Sequence, residues 1–214
     1  MKVLSLSLLA VVLSAVVVSA ADKPAAPGAA KSAAPAAQAA APSADQQQAM
    51  MQKWMEVATP SEAHKKLEAS VGTWDTAVKM WMSPDAPPQE STGVSKNTMV
   101  LGGRWLEQSF EGTMMGQPFH GIGYTGYDNY KKQYVGMWMD TSSTSAMMST
   151  GMCDPSGKTM TFTGTVDNIM TGGKDQFKEV LTIVDADHQN FEMWAPGPDG
   201  KMYKNMEIRY TRKA

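Results

Sequence analysis

From Gly72 onward the chain alternates apolar and polar residues in runs that turn-forming residues close off about every ten positions, and this spacing leaves little choice of fold. The first run sets the pattern. Thr76, Val78, Met80 and Met82 fall on one face and Asp75, Ala77, Lys79 and Trp81 on the other, the two-residue period of a half-buried strand. Turn chemistry recurs at 83–88, Gly102-Gly103, 112–118, Asp128-Asn129, 140–143, 154–157, 167–173, 185–190 and 196–200. These turns delimit about ten strands. No helix-length run lies between them, so parallel crossovers are excluded and the strands form an antiparallel meander. A meander of this length disposes of its edges most simply by closing on itself. The expected fold class is therefore all-β, an antiparallel up-and-down barrel of about ten strands preceded by one or two short helices. Gly121, Gly123, Gly126, Gly136 and Gly164 within the strands are expected to serve bends and bulges of a strongly curved wall.

Three segments precede the barrel. Residues 1–20 combine a positive start at Met1-Lys2, an apolar run from Val3 to Val18 and small residues at Ser19-Ala20, the layout of a secretory signal peptide cleaved near Ala20. The run is shorter than the ~20 residues of a spanning helix, so a periplasmic or secreted protein without a transmembrane segment is expected. Cys153 is the single cysteine and lies far from the cleavage point, so neither lipid anchoring nor an internal disulfide is expected. Residues 21–42 are a low-complexity Ala/Pro linker, too poor in large apolar residues to order itself. Residues 43–71 read as helical. Ser43 and Gln46 form a capping-box pattern ahead of Met51, Met55 and Ala58, and Thr59-Pro60-Ser61-Glu62 predicts a second helix with Thr59 as cap and Glu62 reaching back to it. His64, Leu67 and Val71 then share a face, and 72–214 remain for the barrel.

Basic and acidic residues are nearly balanced, 19 against 21, and no basic patch is present, which argues against a nucleic-acid partner. His64, His120 and His188 do not cluster, so no metal site and no cofactor are implied. His64 suits packing where helix meets barrel, and His188 lies in a solvated turn. His120 alternates with Ile122 and Tyr124 and is the histidine placed to reach a cavity. The nucleophile-elbow pattern Gly-x-Ser-x-Gly is absent, and Cys153 has no neighbouring cation to activate it. Of the 19 methionines, Met80 with Met82 and Met137 with Met139 follow strand periodicity and suit core filling, while adjacent pairs such as Met114-Met115 leave a Cu(I) site open. Alternation turns Met80, Phe110, Tyr124, Trp138, Phe162, Met193 and Tyr210 inward, with Asp140 near the mouth. Met80, Phe110, His120, Tyr124, Trp138, Asp140, Phe162 and Tyr210 are accordingly the candidate ligand contacts. A binder of a small apolar molecule is expected; an enzyme or haem protein using the cavity, and a methionine-based copper or oxidant buffer, are the alternatives.

A short helix, Gly72-Thr73-Trp74 on strand one, an up-and-down barrel and an arginine on the last strand (Arg209 or Arg212) resemble the lipocalin and fatty-acid-binding (calycin) plan. That resemblance implies an arginine packed over the strand-one tryptophan at the closed end. His64-x-x-Leu67, Gly72-Thr73-Trp74, the run from Leu101 to Leu106, Gly126-Tyr127-Asp128, Trp138-Met139-Asp140 and the closing Tyr210-Thr211-Arg212-Lys213 together resemble the bacterial family domain of unknown function 1579. The match runs from about His64 to the C-terminus and implies a fold without an activity. A haem-binding barrel of the nitrobindin type is similar in outline, and ligation by His120 is the form that likeness would take here.

Overall fold

Strand β1 (Gly72–Met80) buries Trp74, Thr76 and Val78 and exposes Asp75 and Ala77 between them, so the two-residue period of the sequence becomes an inner and an outer face. In the computed structural model, which describes residues 42–213, nine further strands follow in hairpin succession. They are β2 (Gln89–Val100), β3 (Trp105–Met114), β4 (Gln117–Asp128), β5 (Gln133–Asp140), β6 (Met147–Cys153), β7 (Thr159–Asp167), β8 (Lys174–Ile183), β9 (His188–Pro196) and β10 (Met202–Arg212). Each pairs antiparallel with the next, and β10 returns to β1 with Trp74 opposite Arg212 and Met80 opposite Met206, which closes the barrel. No edge is left to recruit another strand. The expected signal peptide, and the linker as far as residue 41, lie outside the described residues. Among those described, no helix is long and apolar enough to cross a membrane.

The turns fall where turn residues cluster, and two are tighter than expected: the one over 185–190 closes by Asp187, since His188 to Asn190 open β9. The hairpin expected over 112–118 is reduced to Met115-Gly116, both at positive φ (52° and 75°), the two-residue form whose twist matches the flanking strands.

One end of the barrel is plugged by the segment before β1. Helix α1 (Ala44–Ala58) opens with the capping box of its sequence: the Gln46 amide donates to Ser43 Oγ at 3.3 Å, and the Ser43 amide to Gln46 Oε1 at 2.8 Å. It buries none of its residues, and Met50, Met51, Trp54 and Met55 remain exposed. The second helix starts two residues later than the sequence predicts. The Thr59 hydroxyl donates to Met55 O at 2.7 Å and so finishes α1, while Ser61 caps α2 (Glu62–Lys65) and donates its amide to His64 Nδ1 at 2.9 Å. His64 thus occupies the place assigned to Glu62, which pairs with Lys65 instead. Burial, followed by the charge of Arg104, holds the His64 imidazole below its ordinary value, as an accepting Nδ1 requires. A 3-10 turn (Lys66–Ser70) continues the plug and drops Leu67, 2% exposed, onto Leu106, Tyr134, Met160 and Phe162. Arg104 donates to Ala58 O, Asn129 to Val57 O and Thr59 O, and Tyr134 to Ala63 O, so three barrel elements hold the cap by its backbone. Arg212 is the closing arginine. Its guanidinium lies 4.1 Å from the centre of the Trp74 ring and donates to Val71 O, Ala186 O and Ala69 O.

The glycines inside the strands serve a purpose other than bending. Gly151 lies opposite Phe162, Gly164 opposite Phe177, Gly123 opposite Trp138 and Gly126 opposite Trp105, and in each case the partner's ring lies across the position a Cβ would take. Large rings are accommodated in the wall because the residue across the ladder has no side chain.

Candidate functional site

The inner faces enclose a cavity of about 810 Å³ that runs from the plug at Leu67 and Ser70 to a mouth formed by Gln89, Met115, Gly116, Ser142 and Met147. A closed barrel of ten strands is wide enough to leave such a space, and the volume falls in the usual range for small-molecule sites. Six of the sequence-derived candidates border it: Met80, Phe110, Trp138, Asp140, Phe162 and Tyr210, as does Met193. Met80 faces Met206, which faces Met193, so three adaptable thioethers line adjacent strands β1, β10 and β9. Met114 and Met115 sit at the mouth.

His120 and Tyr124 do not border the cavity, and the inward placement expected for them is corrected. They share the outer face of β4, where His120 lies in a shallow groove with Glu111, Pro118 and Thr141 and the Tyr124 hydroxyl donates to Glu107 Oε2 at 2.8 Å. The physical reason is the ring-over-glycine packing. The inner face of β4 carries Phe119, Gly121 and Gly123, and Trp138 covers both glycines, so the alternate positions His120, Ile122 and Tyr124 fall on the outside. Among the described residues no histidine borders the cavity, so a group inside it gains no imidazole from His120.

Asp140 is engaged within its own hairpin. Its Oδ2 accepts from Trp138 Nε1 at 2.8 Å and its Oδ1 from the Ser142 amide at 2.8 Å, which fixes the indole as a wall near the mouth. At the plugged end a polar network crosses the floor. Ser70 Oγ donates to Gln189 Oε1, and Asn97 Nδ2 and Trp74 Nε1 donate to Ser70 O. Ser95 Oγ donates to Asn97 Oδ1, and Gln108 Nε2 donates both to Ser95 Oγ and, at 3.4 Å, to the Tyr210 oxygen. Burial, then the charge of Glu179, pushes the Tyr210 phenol up to about 12 against the bond from Gln108, so it remains a donor at neutral pH.

Glu179 is the residue that the sequence reading missed. It stands on the inner face of β8 between Phe177 and Leu181, opposite Phe162 on β7 and Met193 on β9. Among the described residues its one hydrogen-bond donor is Ser149 Oγ, at 3.2 Å. Its remaining exposed surface faces the cavity, and burial raises the carboxyl above the usual carboxylate range, partly offset by Ser149. The signal was present: an acid alternating in phase with Phe177 and Leu181 is a charge on an apolar face.

Residues 59–212 match the family model described as protein of unknown function (DUF1579). The chain belongs to the DUF1579 family. The matched region takes in the plug and all ten strands and leaves out α1, so the cavity, its floor and its mouth all lie within the DUF1579 domain. Among solved structures, the crystal structure of Rv2717c from M. tuberculosis is similar to the DUF1579 barrel with a TM-score of 0.55 at 13% identity, covering 73% of this chain and 100% of that one. At this identity the likeness is one of fold. A redesigned β-barrel covers 71% of this chain with a TM-score of 0.36 and 18% identity, the match taking in 96% of that chain. No curated protein matches the sequence.

Proposed function

We propose that this DUF1579 barrel is an exported binding protein that holds one small, largely apolar molecule in its cavity. The observation that carries the reading is the cavity itself: about 810 Å³, walled by Phe110, Trp138, Phe162 and methionines, with polar side chains such as Asn97, Gln108 and Gln189 at its floor and Gln89 and Ser142 at its mouth. An interior packed for stability alone fills such a volume, since each unfilled void forfeits dispersion contacts. The leader-like sequence of residues 1–20 supports export, and the Ala/Pro-rich segment after it supports a tether between leader and barrel. The test is titration of the whole chain with the neutral apolar dye Nile red. Trp138→Ala and Phe110→Ala each remove a wall ring, and a loss of about 1–2 kcal/mol of apolar contact weakens binding about five- to thirtyfold. If both variants hold the dye as tightly as the parent does, the cavity is not where it binds.

A further inference from the structure

The charged groups that border the cavity are all acidic: Glu90 and Asp140 toward the mouth and Glu179 midway along β8. Among the described residues no lysine, arginine or histidine borders it. The two outer acids are engaged, Glu90 with Lys79 at 3.0 Å and Asp140 with Trp138 and Ser142. Among the described residues Glu179 has only the Ser149 hydroxyl, which leaves most of its capacity to accept hydrogen bonds for a guest. Tyr210, 7% exposed, faces the same space. Its oxygen accepts from Gln108, its proton has no acceptor among the described residues, and it lies near enough to feel the charge of Glu179. An unspent acceptor and an unspent donor in an apolar chamber are groups left for a guest.

Resting on the binding reading above, we propose that the cavity selects an apolar molecule bearing a protonated amine, seated with its ammonium against the Glu179 carboxylate. A fatty carboxylate would give up its hydration to enter a chamber that offers it no cation. An ammonium meets an under-solvated carboxylate, and a charge-assisted hydrogen bond is about twice as strong as a neutral one. The ring of Phe162, directly across the ladder from Glu179, and that of Tyr210 add π faces suited to a cation. The guest supplies the counter-ion that the wall lacks. Glu179 is ionised in the complex whatever its state in the empty barrel, and any proton it held passes to solvent.

Decylamine, decanol and decanoate share one chain and differ at one end, so their binding to the whole chain, followed by calorimetry at neutral pH, isolates the end group. Displacement of Nile red reports cavity occupancy independently. Decylamine is expected to bind at least about tenfold more tightly than decanol, with decanoate weakest. Glu179→Gln should bring the amine down to the alcohol, with continued Nile red binding reporting only that the cavity is still formed, and Glu179→Asp should keep part of the preference. Nile red binding accompanied by equal affinity for amine and alcohol, or a preference that survives in Glu179→Gln, overturns the amine assignment and leaves the binding reading standing. Failure of Nile red and all three chains to bind removes the binding reading and the selectivity with it. Should Glu179→Gln not fold, the ranking of the three ligands on the parent decides.

Discussion

Replacing Arg212 by alanine tests how far the plugged end depends on one side chain. Its Nη1 donates to Val71 O at 2.7 Å and its Nε to Ala186 O at 2.8 Å, while the longer bond from Nη2 to Ala69 O is 3.3 Å. The guanidinium also lies over Trp74, the most deeply buried ring in the chain. A hydrogen bond from a charged group contributes about 1.5–3 kcal/mol. Here 31% of the side chain is in solvent, so about 1 kcal/mol for each short bond is the screened figure. Stacking on the indole adds about 0.5–1 kcal/mol. The expected destabilisation is about 3 kcal/mol, which for a domain of this size lowers Tm by about 6–12 °C. Arg212→Lys keeps the charge but loses the fork, and should recover less than half of the loss. Scanning calorimetry reads both values, and hydrogen exchange should show the amides of residues 62–71 losing protection before those of the strands. A fall below about 2 °C for alanine, or full recovery with lysine, would mean that β1–β10 pairing closes the barrel unaided and the arginine is incidental.

Two further outcomes follow from the packing and the charges. Because burial holds the Glu179 carboxyl above its ordinary 4.5, the native state keeps a proton that the unfolded chain releases as pH rises past that value, so stability declines there and the deficit persists at higher pH. Glu179→Gln should therefore melt above the parent at about pH 8, with the gap closing toward about pH 4, and a gap independent of pH in thermal melts contradicts the assignment of an unpaired buried acid. Gly151→Ala would put a Cβ 2.7 Å from the Phe162 ring and nearer still to the Thr161 carbonyl oxygen, so the strands must part. Overpacking of this kind costs about 1–3 kcal/mol, and denaturant unfolding showing no loss would mean that β6 and β7 separate freely.

The architecture was legible because it is written in local chemistry. Turn residues at Gly102-Gly103, 154–157 and 196–200 mark strand ends wherever the chain sits in space, and the period of two in β1 needs no partner to be recognised. The face assignment of β4 was not legible. His120, Ile122 and Tyr124 outweigh Gly121 and Gly123 in any count of apolar bulk, and only the cross-strand position of Trp138 shows which face has to be empty. The start of α2 was misplaced for a related reason, since Thr59 and Ser61 are both competent caps and the carbonyl of Met55 decides which is used. Phe110, Trp138, Phe162 and Tyr210 were found as wall residues by alternation alone. Glu179 was not legible because an acid on a strand is expected on the wet face, and only its phase with Phe177 and Leu181 shows that it stands on the inner one.

The ring-over-glycine pairs bear on how a chain of this kind varies over generations. A ring such as Phe177 and the bare backbone of Gly164 form one unit split between two strands. Enlarging the glycine first collides with the ring, and shrinking the ring first opens a hole in the wall. Each single step is unfavourable while the double change keeps the volume, so such a pair is inherited whole or exchanged whole, and the width of the chamber drifts in steps of two residues at a time.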